Sequence, residues 1–127
     1  TTGPFSTGEN LTTAQANYNG RFPYGMFPAG EFRQKTTPAG TFPLNPWGLA
    51  DMHGNVWEWT SDWYGPYPES ASANIDPQGP ASGEKRAIRG GSWLFDANSA
   101  RCALRYTHAP QDKGFSLGFR VAADRPR

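Results

Sequence analysis

The sequence predicts an α+β fold that is rich in loops and built on short antiparallel strands. Its 127 residues suit a single domain, and they include 15 Gly and 12 Pro, a content of turn formers too high for a helical bundle. Hydrophobic residues make up only 36% of the chain, so the aromatic residues, 14% of the total, must supply much of the buried area.

Strands are predicted where apolar and polar residues alternate between clusters of turn formers. The predicted strands cover residues 55–64, 85–93, 101–106 and 117–123, and the second of them ends in a Gly-Gly turn. Residues 1–40 and 65–84 are predicted to be long loops, the first of them ordered. Neither flank of the second loop could bury a core alone, so we assign residues 1–127 to one domain.

The charge balance limits the classes of partner. Twelve basic and eleven acidic residues give a net charge of +1, which argues against nucleic acid or an anionic membrane as a partner. No apolar run is long enough for a membrane span. The single cysteine, Cys102, excludes an intrachain disulfide and leaves the compartment open, with an extracytoplasmic or cell-surface location favoured.

The segment "DMHGNVWEWTSDWY", residues 51–64, mixes acidic side chains with three tryptophans. In one interpretation Asp51 caps a turn and Glu58 pairs with an arginine such as Arg89. In the other, the two acids flank a Gly54 turn and bind a cation, since calcium takes carboxylate and carbonyl oxygens. Spacing alone favours the first interpretation. His53 is expected to be a solvated turn residue.

Four motifs carry a family resemblance: "GLADMHGNVWEWTSDWY", "RAIRGGSW", "RCALRY" and "LGFRVAAD", in that order. Together they resemble the C-terminal part of the formylglycine-generating-enzyme (sulfatase-modifying factor) family. The resemblance implies a variant of the C-type lectin fold and favours the cation interpretation. It also implies that this chain is the C-terminal portion of a longer domain, which needs its N-terminal half or a partner chain.

Calcium is the cofactor that the resemblance implies. Asp51 and Glu58 would supply carboxylates to one site, and Gly54 and Val56 would supply backbone carbonyls.

A second implied site draws on the first long loop, where the Asn17 amide oxygen and the backbone carbonyls of Tyr18, Gly30 and Phe32 would bind. Family members carry an aspartate where Gly30 stands, so the second site would be weaker by one charge. In the alternative interpretation, Asn17 is an ordinary turn residue.

Copper is not expected. Catalytic members of the family bind Cu(I) through two cysteines, and in this sequence Cys102 matches the second while Ala97 replaces the first. A single thiolate does not make that site. We therefore expect no formylglycine-generating activity. The alternative is a metal-dependent oxidoreductase of the formylglycine-generating or sulfoxide-synthase family with an altered site.

Residues 89–123 have the pattern of a constant frame with variable insertions, and the insertions lie within residues 94–117. The frame is "RGGSW", "ARCA" and "GFR", and the residues between mix polar and aromatic types without a period. The pattern resembles the variable proteins of diversity-generating retroelements, which share this scaffold. The predicted ligand face comprises Leu94, Phe95, Asp96, Tyr106, Thr107, His108 and Phe115. Its ligand would be a protein or a small molecule, and the alternative is that these are ordinary loop residues.

Overall fold

The computed structural model describes residues 2–67 and 77–123. Residues 68–76, within the predicted loop 65–84, lie outside the described ranges. The regular elements are strands β1 (Trp57–Trp63), β2 (Arg86–Arg89), β3 (Tyr106–His108) and β4 (Leu117–Gly118), with a 3-10 helix at Ala97–Ala100. Loops make up the rest of the described residues, as predicted. Across the described ranges, no helix has the length and apolar character needed to cross a membrane.

The four strands form one sheet in the order β3-β2-β1-β4. β1 pairs antiparallel with β2, where Glu58 lies opposite Arg89, and β2 pairs antiparallel with β3. β4 instead runs parallel to β1, with Trp57 opposite Leu117. The expectation of antiparallel strands is therefore correct for two of these pairs and wrong for the third, because the chain reaches β4 by a connection that crosses the sheet.

Two predicted strands are confirmed with shorter bounds. β1 begins at Trp57, two residues later than predicted, because Asn55 has a left-handed φ of 64° that a strand does not accommodate. β2 ends at Arg89 because Gly90 and Gly91 turn the chain with φ values of 93° and 74°. This is the predicted Gly-Gly turn.

The other two predictions of strands need correction. Residues 101–106 form a turn at Cys102 and Ala103, and a strand starts only at Tyr106. The turn is fixed by the Arg89 guanidinium, which donates to the carbonyls of Cys102 and Leu104 at 2.9 and 3.3 Å. Of residues 117–123, only Leu117 and Gly118 form a strand.

The main hydrophobic core lies outside the sheet. The first long loop and the 3-10 helix bury apolar side chains against each other, those of Phe5, Leu11, Ala16, Tyr18, Ala97 and Ala100. The Tyr18 hydroxyl donates to the carbonyl of Leu11 at 2.8 Å, and burial raises its pKa. This packing explains how a loop of 40 residues stays ordered, as predicted, without regular hydrogen bonding.

Two asparagines join the first loop to the turn that precedes β1. The backbone N–H of Asn55 donates to the Asn17 carbonyl at 2.7 Å, and Asn17 also forms a bridge with Gly54. Gly54 has a φ of 77°, and a Cβ there would lie 2.3 Å from the Asn17 carbonyl oxygen. Only glycine permits this approach, so the Gly54 turn is fixed by its contact with Asn17.

Candidate functional site

Asp51 lies in the turn before β1 with a left-handed φ of 52°. Its Oδ2 accepts the backbone N–H of Gly40 at 2.6 Å, so it does cap a turn. Its Oδ1 is buried and has no hydrogen-bond partner among the described residues. Buried oxygens are nearly always satisfied, so this atom has unused capacity to bind a donor or a cation.

Glu58 forms an ion pair with Arg120 rather than with the expected Arg89. The Arg120 Nε and Nη2 atoms lie 2.7 and 2.6 Å from the two carboxylate oxygens, and this contact raises the pKa of Arg120. Arg120 also donates to the carbonyls of Ala50 and Asp51 at 3.0 and 3.3 Å. Arg89 lies opposite Glu58 in the ladder, but its guanidinium holds the turn at Cys102.

The four residues predicted to bind calcium surround one turn. Gly54 is buried, and Val56 and Glu58 are half-buried at the start of β1. Arg120 links Glu58 to the Asp51 backbone, since its Nη2 donates to both. Arg120 thus connects the Glu58 carboxylate with the backbone of Asp51, whereas the Asp51 carboxylate bonds to Gly40.

The residues of the second predicted calcium site are more dispersed. Asn17 and Tyr18 are buried, and the Asn17 Oδ1 has no hydrogen-bond partner among the described residues. The Asn17 Nδ2 donates to the carbonyl of Lys35 at 2.9 Å. Gly30 is exposed and bonds to Gly20, whereas Phe32 stacks on Trp93. The contacts of Asn17 are therefore with residues 35–55 rather than with Gly30.

Ala97 and Cys102 differ sharply in exposure. Ala97 is fully buried at the start of the 3-10 helix, whereas Cys102 is exposed in the turn that follows it. The Asp96 carboxylate caps this helix by accepting the backbone N–H of Ser99 at 3.0 Å. The Cys102 backbone N–H donates to the Pro4 carbonyl at 2.8 Å.

One part of the predicted ligand face is an aromatic cluster around Trp57, which is 3% exposed. The rings of Phe95 and Tyr106 lie 5.7 and 5.9 Å from the Trp57 ring, and His108 lies 6.2 Å from Tyr106. Phe95 and Tyr106 are 39% and 55% exposed. The outer rings thus cover a buried tryptophan and still present much of their surface to solvent.

The other part of the face is a stack on the half-buried Trp93. Phe115 and Phe32 lie 5.8 and 6.2 Å from its ring, and Phe115 is 75% exposed. Leu94, next to Trp93 in the chain, is 38% exposed. Asp96, Thr107 and His108 are half-buried. The apolar residues of the predicted face are therefore exposed, whereas full exposure of its three polar residues is not found.

The sequence pattern also predicts that the frame residues Trp93, Arg105, Phe119 and Arg120 are buried or hydrogen-bonded beneath the face, and the structure confirms this for some of them only. Arg105 donates to the Gly65 carbonyl at 3.0 Å, and Arg120 is bonded to Glu58, as expected. Phe119 is 75% exposed, so its expected burial is wrong. β4 ends at Gly118, so no neighbouring strand of the sheet covers Phe119.

His53 is buried, and the expectation of a solvated turn residue is wrong. Its Nε2 accepts the backbone N–H of Ser6 at 2.9 Å, with the Ser6 Oγ at 2.8 Å. That bond assigns the ring proton to Nδ1, which lies 2.8 Å from the Ala100 carbonyl. Burial lowers the pKa of His53, partly offset by the bond to Ala100. The neutral ring joins the first loop to the 3-10 helix.

His53, Ser6, Asn45, Leu49 and Met52 together form the boundary of two adjoining cavities of about 290 and 240 Å³. Asp51 lines the first cavity. The second is bordered by Arg89, Arg101 and Cys102. We call the second cavity the arginine lobe. Sequence reasoning missed it, because its walls come from four separate segments of the chain.

Residues 2–125 match the model of the FGE-sulfatase family, described as the sulfatase-modifying factor enzyme 1-like domain. The chain belongs to this family. The match spans nearly all of the sequence, including the Gly54 turn, the sheet and the ligand face.

Relatives in the FGE-sulfatase family include enzymes and a protein kinase. The chain is 40% identical over 120 residues to serine/threonine-protein kinase pkn1 of Chlamydia caviae, covering 93% of this chain and 17% of that protein. It is 40% identical over 110 residues to the formylglycine-generating enzyme of Mus musculus, covering 84% of this chain and 29% of that enzyme. The chain thus spans less than a third of either relative.

A solved structure with a similar fold is Treponema denticola variable protein 1. The two share a TM-score of 0.67 and 30% identity, over 84% of this chain and 34% of that one.

The burial of His53 predicts a loss of stability in acid. The folded state holds the pKa of His53 below the ordinary value of 6.5, so the unfolded state binds more protons just below that pH. The free energy of unfolding should therefore be constant above about pH 6.5 and fall as the pH drops, by at most about 1.4 kcal/mol per pH unit. Urea unfolding between pH 7.5 and 5 measures it.

The matched variants are His53→Gln, which removes the titrating group, and His108→Gln, which removes the other histidine. We expect His53→Gln to lose less free energy of unfolding in acid than the wild type, and His108→Gln to lose as much as the wild type. An equal loss in the wild type and His53→Gln would show that other groups cause it.

Proposed function

We propose that this chain is a calcium-stabilised, non-catalytic interaction module on the FGE-sulfatase scaffold, with its ligand face at residues 94–117. The observation that carries the proposal is the set of exposed aromatic rings on Trp57 and Trp93. Aromatic residues are enriched at binding interfaces because they bury a large area at a low cost in conformational entropy. The similarity to a variable protein supports the same function.

The ligand face is suited to binding because its exposed rings pack on a tryptophan that is itself buried. Trp57 is buried, so the sheet holds the rings of Phe95 and Tyr106 in place. Large exposed side chains on a fixed base lose little freedom when they bind. The ligand is a protein or a small molecule that covers these rings.

The proposal of a non-catalytic role rests on residues 97 and 102. Two thiolates suit Cu(I), and here one of the two positions is an alanine whose side chain is fully buried. The relatives that are enzymes favour the second candidate function, an oxidoreductase with an altered metal site. That function would require a metal ligand from another part of the protein. Within residues 2–67 and 77–123, no group of three His, Cys, Asp or Glu side chains could hold a metal ion.

The calcium proposal is supported by two buried oxygens that lack hydrogen bonds. Asp51 Oδ1 belongs to the first predicted site and Asn17 Oδ1 to the second. Calcium would satisfy such atoms with a bond of the kind it prefers. Glu58 would have to share its carboxylate with Arg120, which is feasible because a carboxylate offers about four acceptor positions.

A further part of the same domain, or a partner chain, is proposed to cover the large side chains left exposed near the Asp51 turn. Phe119 and Val121 are 75% and 85% exposed. Large exposed apolar groups commonly mark an interface. The relatives' greater length is consistent with this partner being in the same polypeptide.

Calcium should raise the melting temperature of the full-length protein, because a ligand that binds only the folded state stabilises it, by about 2.7 kcal/mol at a hundredfold excess over Kd. Asp51→Asn should lose most of this calcium-dependent increment, whereas Asp62→Asn should keep it. Thermal melting with calcium or with chelator gives the increment. A wild type whose melting is insensitive to chelator would refute calcium binding.

Truncating the exposed rings should remove binding and spare the fold. We expect Tyr106→Ala and Phe115→Ala to change the free energy of unfolding by less than about 1 kcal/mol, as for most exposed positions. Each should weaken at least tenfold the binding of a peptide selected against the wild type from a randomised display library. Calorimetry measures the affinity, and denaturant unfolding measures the stability.

Two controls bracket this experiment. Met26→Ala removes an exposed apolar group outside the face and should leave affinity unchanged, whereas Trp57→Ala should cost about 3–5 kcal/mol of stability. Unchanged affinity in both Tyr106→Ala and Phe115→Ala would place the binding surface elsewhere.

The protein should not generate formylglycine. Incubation with copper, oxygen and a peptide containing Cys-x-Pro-x-Arg should leave the peptide thiol intact, because Cys102 is the one thiolate of the copper pair present. Mass spectrometry of the peptide detects the aldehyde, with an active formylglycine-generating enzyme as the positive control. Aldehyde formation would favour the oxidoreductase.

A further inference from the structure

The arginine lobe combines an apolar wall with a cationic edge. Its apolar lining includes Trp47, Leu49 and Met52, which are 64%, 44% and 37% exposed. Apolar surface that faces a cavity favours an occupant with an apolar body, since burying it removes that surface from water. Its volume of about 240 Å³ suits a ligand of roughly the size of one amino-acid residue.

Two arginines give the lobe its charge. Arg89 and Arg101 border it, and within residues 2–67 and 77–123 neither has a carboxylate in ion-pair distance. Backbone carbonyls fix their positions: Arg89 donates to those of Cys102 and Leu104, and the Arg101 Nε donates to that of Asn98 at 3.1 Å. Carbonyls satisfy N–H groups but do not neutralise the charge, so both cations favour an anion.

The charged residues around the two adjoining cavities decide which of the cavities favours an anion. The acid that lines the adjoining cavity is Asp51, across the boundary formed by His53 and Met52. His53 is neutral in its observed hydrogen bonds, because its Nε2 accepts from Ser6. The positive potential therefore lies on the arginine side, and an anionic group would be repelled from the Asp51 side.

We infer that the arginine lobe binds a carboxylate that carries an aromatic or aliphatic body. The carboxylate lies against Arg101 and Arg89, since planar guanidinium groups match carboxylate geometry, and the body lies on Trp47, Leu49 and Met52. A free organic acid and the C-terminal carboxylate of a peptide share this chemistry. The inference does not depend on the proposed ligand face.

Cys102 provides a local reporter, because it is exposed and borders the lobe. The experiment measures the rate at which iodoacetamide alkylates Cys102 in the full-length protein, followed by mass spectrometry of the peptide that contains it. The probe is 3-phenylpropionate, and its uncharged amide is the matched control. We expect the saturating acid to slow alkylation at least threefold and the amide to leave the rate unchanged.

Variants assign the protection to the lobe. In Arg101→Gln the acid should no longer slow alkylation, so the ratio of the rates with and without acid should return to one. Two control variants should keep the slowing seen in the wild type. They are Lys113→Gln, an equal change of charge on an exposed loop, and Phe115→Ala, on the ligand face. Arg89 is left intact because it holds the turn at Cys102. Because each variant is compared with itself, a change in the intrinsic reactivity of Cys102 does not affect the result.

A second arm separates the two sources of carboxylate. N-acetyl-Ala-Ala-Phe with a free C-terminus is compared with the same tripeptide as its amide. Protection by the tripeptide acid identifies a peptide C-terminus, and protection by 3-phenylpropionate alone identifies a small acid. The inference is overturned if neither acid protects, if the amides protect equally, or if Arg101→Gln retains full protection.

Discussion

The hydrogen bonds of Asn17 and Asn55 hold together segments that have no regular structure of their own. The Asn55 Oδ1 accepts the backbone N–H of Thr37 at 2.9 Å, and its Nδ2 donates to the Thr37 carbonyl at 3.1 Å. Its carbonyl accepts the backbone N–H of Trp93. The Asn17 Nδ2 donates to the carbonyl of Lys35 at 2.9 Å. Buried amides that pair on both sides are costly to disrupt, because any partner left behind is unsatisfied.

This arrangement explains how segment 92–102 can carry dissimilar side chains. Its backbone is held by loops: the Asn19 N–H donates to the Phe95 carbonyl, the Ala97 N–H to the Phe22 carbonyl, and the Cys102 N–H to the Pro4 carbonyl. Bonds between backbone atoms do not depend on side-chain identity. Positions such as Leu94 and Phe95 therefore point outward from a fixed path, which is the physical requirement for a scaffold with a variable surface.

The ligand face and the arginine lobe lie at the two ends of this segment. The face uses rings on Trp57 and Trp93, whereas the lobe uses Arg101 and Cys102 after the 3-10 helix. The helix is capped by Asp96 and packed through Ala97 and Ala100 into the core. The core between them separates two surfaces that differ in chemistry, one aromatic and one cationic, and that share no side chain.

The sequence alone determined the loop-rich class, the family, the first two strands approximately and the exposure of the aromatic face. These follow from local signals: turn-former content, alternation, the Gly-Gly turn and motif order. It also singled out Asp51 and Glu58, because acids flanking a glycine turn are visible in a single segment.

Tertiary structure decided what depends on distant partners. His53 is buried because Ser6 and Ala100 meet it from positions 47 residues away on either side. Glu58 pairs with Arg120, 62 residues away, instead of its ladder neighbour Arg89. The parallel pairing of β4, the exposure of Phe119 and the arginine lobe depend likewise on how separate segments pack. Residue patterns describe one segment at a time, whereas these features are set by contacts between segments.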